Sequence, residues 1–341
     1  MSETRYSILD LAAVKENGSI AESFRDSVEL AQHAERWGFT RFWLAEHHNM
    51  TGIASAATSV LIGHIAGHTS TLRVGSGGIM LPNHAPLVIA EQFGTLETLY
   101  PGRIDLGLGR APGTDSATVR ALRRDPFTSG RDFPDDVAEL LALLGPVKAG
   151  QTIRAVPGSG TNVPVWLLGS STFSAQLAAS LGLPFAFASH FAPQQLGEAL
   201  AVYRQLFRPS PYLAKPYVMA GVPVIAADTG AQATRLATSL LMRVAKLIRG
   251  EPFFIAPPVD SLDGLLSAGE RSLVESKLGA LIVGSPGRVR AGIEAFVEST
   301  GVNEIIFTSE AYRFEDRLRS FEIVSQAMRR DALLTPRPKS C

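Results

Sequence analysis

Residues Leu72 to Leu108 read LRVGSGGIMLPNHAPLVIAEQFGTLETLYPGRIDLGL, and they hold one complete strand, helix and strand. Leu72 to Leu81 is a short apolar run of the kind that forms a buried strand. Pro86 to Tyr100 carries Pro in its first turn and is closed by Pro101 and Gly102, which marks a helix. Arg103 to Leu108 is a short apolar run again. Two strands joined through a helix run parallel in one sheet. Within the first of them, Gly75, Ser76, Gly77 and Gly78 offer almost no side chain to pack. Glycine in a strand marks a bulge or the close approach of a ligand or another backbone.

The alternation continues on both sides. Tyr6 to Leu9 is a strand, and Glu22 to Trp37 a helix with Phe24, Val28, Ala31 and Ala34 at helical spacing and Gly38 as its stop. Arg41 to Ala45 is a strand and Ser55 to Thr69 a helix. After a polar, Pro- and Gly-rich interruption from about Asp125 to Pro164, strands are predicted at Pro164 to Gly169, Pro184 to Ser189, Val218 to Ala227 and Glu304 to Thr308. The matching helices are Phe173 to Leu181, Gln194 to Phe207, a long one ending near Ile248, Pro286 to Ser299 and Phe314 to Met328. Eight strands interleaved with eight helices predict an α/β fold in which residues 1–341 form one (β/α)8 TIM barrel, with an open doubly wound sheet as the alternative. Residues 250–284 do not fit the repeat and are read as an insertion, a lid ahead of the last helix-strand pair; residues 335–341 are read as a disordered tail.

Composition narrows the function. Of 341 residues 45% are hydrophobic, enough for a large core, and Lys+Arg and Asp+Glu both total 32 with no long run of one sign. Nothing there suits a nucleic-acid groove or an anionic membrane surface, so the partner is a small molecule. The one cysteine, Cys341, fits a reducing compartment, and MSETRYSILD lacks the apolar core of a signal peptide, so the protein is expected in the cytoplasm. No apolar run reaches the roughly 18 residues of a spanning helix.

In a barrel the chemistry belongs at the C-terminal ends of the strands. Three unusual features sit there: Glu46-His47-His48 after the second strand, the glycine bulge of the third, and Gly107-Leu108-Gly109-Arg110 at the fourth. GxGxxG, Walker A, HExxH and GxSxG are all missing, which argues against a Rossmann nicotinamide site, a P-loop, a zincin and an α/β-hydrolase. His64 and His68 are four apart on one helix, but no third and fourth ligand is evident, and no metal site is assigned.

Taken together, FWLAEHH (42–48), RVGSGGIMLP (73–82) with Pro86 beyond it, GRIDLGLGR (102–110) and LLGSSTFSAQLAASLGLPFAFA (167–188) resemble the bacterial luciferase-like flavin-dependent monooxygenases over nearly the whole chain. The resemblance implies an enzyme that binds reduced FMN in the barrel mouth, its ring lying against a third-strand bulge with a cis peptide between Gly77 and Gly78, where Ser76, Gly77 and Gly78 are the implied cofactor contacts. It also implies that O2 and a small organic substrate react there, that a separate flavin reductase supplies the reduced FMN, and that the chain forms a homodimer through the region of Glu91. His47 is the implied catalytic histidine, suited to proton transfer because imidazole titrates near neutrality. Arg110, Ser170, Ser171 and Ser174 are implied phosphate contacts, a guanidinium and hydroxyls at the start of a helix being an ordinary anion nest. Simple N-capping by serine is the competing reading of these hydroxyls. His190 at the end of the sixth strand is a candidate contact for the ring or the substrate. A non-catalytic flavin-binding protein and a deazaflavin-dependent oxidoreductase remain as alternatives; a deazaflavin's longer acidic tail would call for more basic residues beside Arg110.

Overall fold

The computed structural model describes residues 4–111, 113–125 and 130–328. Its parallel strands are β1 (Arg5–Asp10), β2 (Arg41–Leu44), β3 (Arg73–Met80), β4 (Ile104–Gly109), β5 (Val165–Gly169), β6 (Phe185–Phe187), β7 (Val218–Ala226), β8 (Ile282–Gly284) and β9 (Glu304–Thr308). They are ordered β6-β5-β4-β3-β2-β1-β9-β7, and β6 pairs back onto β7. That last pairing closes the sheet, so the fold is the (β/α)8 barrel and not the open sheet. β8 stands outside the ring, paired with Val224 to Ala226 at the far end of β7.

Helices α1 (Ile20–Trp37), α2 (Thr58–Gly67), α3 (Pro86–Leu99), α4 (Ser116–Ala121), α5 (Phe133–Leu144), α6 (Thr172–Leu181), α7 (Leu196–Leu206), α8 (Gly230–Arg249), α9 (Ala268–Lys277), α10 (Pro286–Thr300) and α11 (Phe314–Met328) fill the connections. Local chemistry sets their ends. In α1 the Ser19 side chain accepts from the Glu22 N–H, and Gly38, at φ +84°, closes the last turn where a Cβ would be strained.

Two regions carry more structure than their composition suggests. The polar interruption contains α5, whose Phe133, Val137, Leu140 and Leu144 are buried at helical spacing against α3. Residues 250–284 contain α9, opened by a Ser267 and Glu270 capping box, and β8. They share a second small core with α8, built from Leu236, Leu240, Leu262, Leu266, Val274 and Leu278. Ahead of α9, Ile255 donates its N–H to the Val14 carbonyl at 3.0 Å and accepts from the Glu16 N–H at 2.9 Å, which pins the chain across the loop after β1. The tail read at 335–341 lies outside the described residues.

Inside the barrel, every second residue of a strand faces the axis. The N-terminal floor is ionic. Arg41 reaches Asp105 at 2.7 Å and Glu304 at 3.0 Å, and both carboxylates have no exposed surface. Arg73 also contacts Asp105, the Trp43 indole donates to it at 3.2 Å, and Ser7 and Tyr217 donate to Glu304. The layer above is apolar and aromatic: Leu9, Trp43, Trp166, Ala186, Met219 and Ile306, with the two indoles edge to face at 5.2 Å.

Removing one member of a buried ion cluster strands the others. Arg41→Ala leaves Glu304 buried with no cation, so urea denaturation should register a loss of about 3–5 kcal/mol. An unchanged midpoint and slope would refute the role given to Arg41.

Candidate active site

Above the aromatic layer the barrel axis opens into a cavity of about 360 Å³. That lies within the roughly 300–1,000 Å³ of small-molecule and cofactor sites. The row Arg41, Trp43, Ala45, His47 explains one wall. Alternate residues of β2 and its continuation step up the axis from the floor, through the aromatic layer, to the cavity. His47 therefore lines the cavity and its neighbour His48 does not.

The bulge in β3 forms a second wall. Ser76 pairs with Leu106 and Ile79 with Leu108, so Gly77 and Gly78 are looped out, and the peptide between them is cis. Both glycines line the cavity. A Cβ on Gly78 would stand 2.7 Å from the Gly107 carbonyl oxygen, so any larger residue would force β3 and β4 apart. Ser76, predicted as a cofactor contact, is placed differently. It is fully buried, does not line the cavity, and its hydroxyl donates to the Gly107 carbonyl and accepts from the Gly107 N–H, each at 2.9 Å. It repairs the ladder that the bulge interrupts.

At the mouth, Arg110, Ser170, Ser171 and Ser174 come together on one side of the cavity. Ser171 is the N-terminal flanking residue of α6, yet its side chain makes no capping hydrogen bond. The Arg110 guanidinium lies 4.0 Å over the Phe173 ring. Neither it nor the three hydroxyls is spent on a hydrogen bond among the described residues. With the free N–H groups of a helix start, this set has the donor chemistry of an anion site.

Two imidazoles face the interior. His47 Nδ1 stands 3.3 Å from the Gly113 carbonyl oxygen; burial lowers the pKa of this ring, and the hydrogen bond offsets part of that. His190 carries a pKa lowered to about 4, by burial first and by His47 second. Its remaining open surface faces the cavity, whose walls are mostly apolar. Neither ring is charged near neutral pH.

Glu46 orients a histidine and also gathers donors from the exit of β3. This buried carboxylate accepts from His48 Nε2 and His84 Nε2, both at 2.8 Å, and from the Met80 N–H at 3.1 Å. Burial pushes its pKa up, and these donors more than reverse that and hold it below the ordinary range. It thus ties the loop after β2 to the exit of β3 and orients His48 rather than His47. The three are a ligand set by residue type, with donor atoms within 4.8 Å, but two N–H groups on one oxygen at 2.8 Å are hydrogen-bond geometry. His84 is separated from Glu46 by a whole strand, and no local pattern flags it. Gly113 and Gly221, which position the two cavity imidazoles, are equally silent in the sequence. Leu9, Trp43 and Ile306 were within reach through two-residue alternation.

The luciferase-like monooxygenase family profile matches residues 4–304. The chain is 56% identical over 324 residues to the Bacillus subtilis protein YvbT, covering 95% of this chain and 96% of that one. It is 53% identical over 318 residues to a luciferase-like monooxygenase of Escherichia coli K12, covering 93% and 95%. Among solved structures it superimposes on apo-MsnO8 with a TM-score of 0.85 at 35% identity, over 95% of this chain and 98% of the other.

The depressed pKa of His190 has a consequence for stability. The unfolded chain binds this proton near the ordinary value of about 6.5, and the folded chain only near about 4. The stability gained by keeping the ring neutral is intact above the first value and is lost as pH falls toward the second. His190→Ala should therefore flatten the fall of the melting temperature between about pH 6.5 and about pH 4. Parallel curves for the two proteins across that window would contradict the assignment.

Proposed function

This chain belongs to the luciferase-like monooxygenase family, and we propose that it is a two-component enzyme that uses reduced FMN and O2 to oxygenate a small organic substrate. A separate cytoplasmic reductase supplies the reduced flavin. The observation that carries the reading is the unspent donor set at the mouth. Arg110 and the hydroxyls of Ser170, Ser171 and Ser174 have no hydrogen-bonding task in the described structure, and they stand beside the start of α6. Phosphate chemistry fits them, the guanidinium giving a bidentate grip and the helix start its free N–H groups. Arg110 is also the one Lys or Arg among the described lining residues, which favours FMN over a deazaflavin with a longer acidic tail.

Each remaining part of the cavity has a task in that reading. Gly77 and Gly78 present a surface without side chains that would hold a planar ring. Reduced FMN, when bound, supplies the electrons that activate O2 for transfer of one oxygen atom. His47, hydrogen-bonded from Nδ1 to Gly113, keeps Nε2 free to take and return a proton at the reacting edge. Leu9, Trp43, Ala45, Met80 and Ile306 keep water from the reaction. Residues 250–284, pinned at Ile255, cover the mouth as a lid.

A second copy of the chain docks on the face of α2 and α3. Val60, Val88 and Leu99 are 69%, 44% and 62% exposed there, an apolar area that a homodimer would bury. Multi-angle light scattering should return about twice the chain mass, and Val60→Asp with Leu99→Asp should return the monomer. A wild-type monomer would exclude the arrangement.

Flavin titration tests the rest. FMN should quench on binding, and Arg110→Ala should weaken it roughly tenfold to a hundredfold while leaving riboflavin, which lacks the phosphate, unchanged. With FMN, NADH and a flavin reductase, an added organic substrate should give an oxygenated product only when O2 is present, and His47→Ala should abolish that product while FMN still binds. Tighter binding of the deazaflavin coenzyme than of FMN, or turnover indifferent to His47, would overturn the proposal.

A further inference from the structure

The two cavity imidazoles differ in what holds them from behind. His47 Nδ1 faces the Gly113 carbonyl oxygen at 3.3 Å, so Nδ1 carries the hydrogen and Nε2, open to the cavity, keeps its lone pair. Position 113 favours glycine on two counts. Its φ is +66°, and a Cβ there would lie 3.1 Å from the Glu46 carbonyl oxygen.

His190 is held the other way. Its Nδ1 is sealed from solvent and has no partner. It lies against the α-carbon of Gly221 so closely that a Cβ at that position would stand 2.3 Å from it. The nearby Gly221 carbonyl is already taken by the Ser189 hydroxyl at 2.6 Å. A buried N–H with no acceptor costs more than a buried lone pair on the same nitrogen. The hydrogen therefore sits on Nε2, which is the ring nitrogen open to the cavity. No carboxylate lines the cavity among the described residues to draw a second proton onto either ring.

We propose that His47 and His190 read the ligand as a pair of opposite sense, His47 accepting a hydrogen bond at Nε2 and His190 donating one from Nε2, with Gly221 the residue that fixes the His190 tautomer. The substrate group that satisfies both is uncharged and carries an acceptor oxygen together with an O–H or N–H, as an alcohol, a hydrated carbonyl or an amide does. A carboxylate or an ammonium would leave one of the two imidazoles facing the wrong partner. What the pair does in turnover rests on the reading of the cavity as a flavin monooxygenase site; the tautomers are properties of the free protein.

The test starts with the full chain labelled with 15N-histidine and no flavin. Two-bond proton-nitrogen correlation spectra, assigned with His47→Gln and His190→Gln, should show His47 as the Nδ1–H tautomer and His190 as the Nε2–H tautomer. At about pH 6, where an ordinary imidazole is mostly protonated, His190 should still be neutral. Finding His190 as Nδ1–H, or as an imidazolium at that pH, overturns the proposal.

Gly221→Ala provides the second arm. The added methyl cannot coexist with the ring as placed, so the His190 signals should move and FMN affinity should fall roughly tenfold. His190→Ala with Gly221→Ala removes the collision and should restore FMN binding to within about threefold of His190→Ala alone. Unchanged His190 signals in Gly221→Ala would overturn the role of Gly221; if that single variant fails to fold, a double variant that also fails would do the same. A wild-type protein that binds no FMN would sink the cofactor reading and leave the tautomers to be judged on the spectra.

Discussion

Arg41 lies between two carboxylates that have no exposed surface, Asp105 on β4 and Glu304 on β9. Without a cation, two such charges across a barrel axis would drive the strands apart. With it, they bind β2 to β4 and β9, neither of which is a neighbour of β2 in the sheet. The clamp also fixes register. Because side chains alternate with a period of two, a slip of one residue in β2 would bring Phe42 and Leu44 to the axis and turn Trp43 and His47 outward. The ionic floor thus governs which residues reach the cavity above the aromatic layer.

Above that floor the barrel is shaped by where side chains are missing. Trp43 and Trp166 fill the middle, and then β3 and β4 run out of bulk at Gly77, Gly78 and Gly107. The two strands come close enough there that Ser76 bonds directly to the Gly107 backbone. Elsewhere in the same cavity Gly113 offers a carbonyl to His47, and Gly221 offers only an α-carbon to His190. Two identical side chains thereby acquire different hydrogen-bonding faces. Backbone atoms behind the rings, not other side chains, assign their roles.

Much of this was legible in the chain. The repeat of strand and helix predicted the barrel, and the position of Glu46-His47-His48, the bulge and Arg110 predicted that they meet at one end of it. Ser170, Ser171 and Ser174, picked out by their place after the fifth strand, line the cavity together with Arg110. Ser76 does not line it, because alternation through a bulge loses its phase: the looped-out glycines face the cavity and the serine before them faces β4. Helix α5 was hidden by the Pro and Gly around it, although its buried residues keep helical spacing. Strand β8, three residues long, is too short for any periodic signal and exists because β7 extends beyond the ring to pair with it.

Order along the chain, the spacing of apolar residues and the identity of turn-forming glycines are local quantities, and they were enough to specify the barrel and the end that carries chemistry. Partnership is not local. That Glu46 serves His48 and His84 and not His47, that Ser171 leaves its hydroxyl unspent, and that Gly221 stands behind His190 are facts about residues brought together from different strands. They arise only when the sheet closes, because hydrogen bonds and steric contact act over a few ångströms of space whatever the distance in sequence.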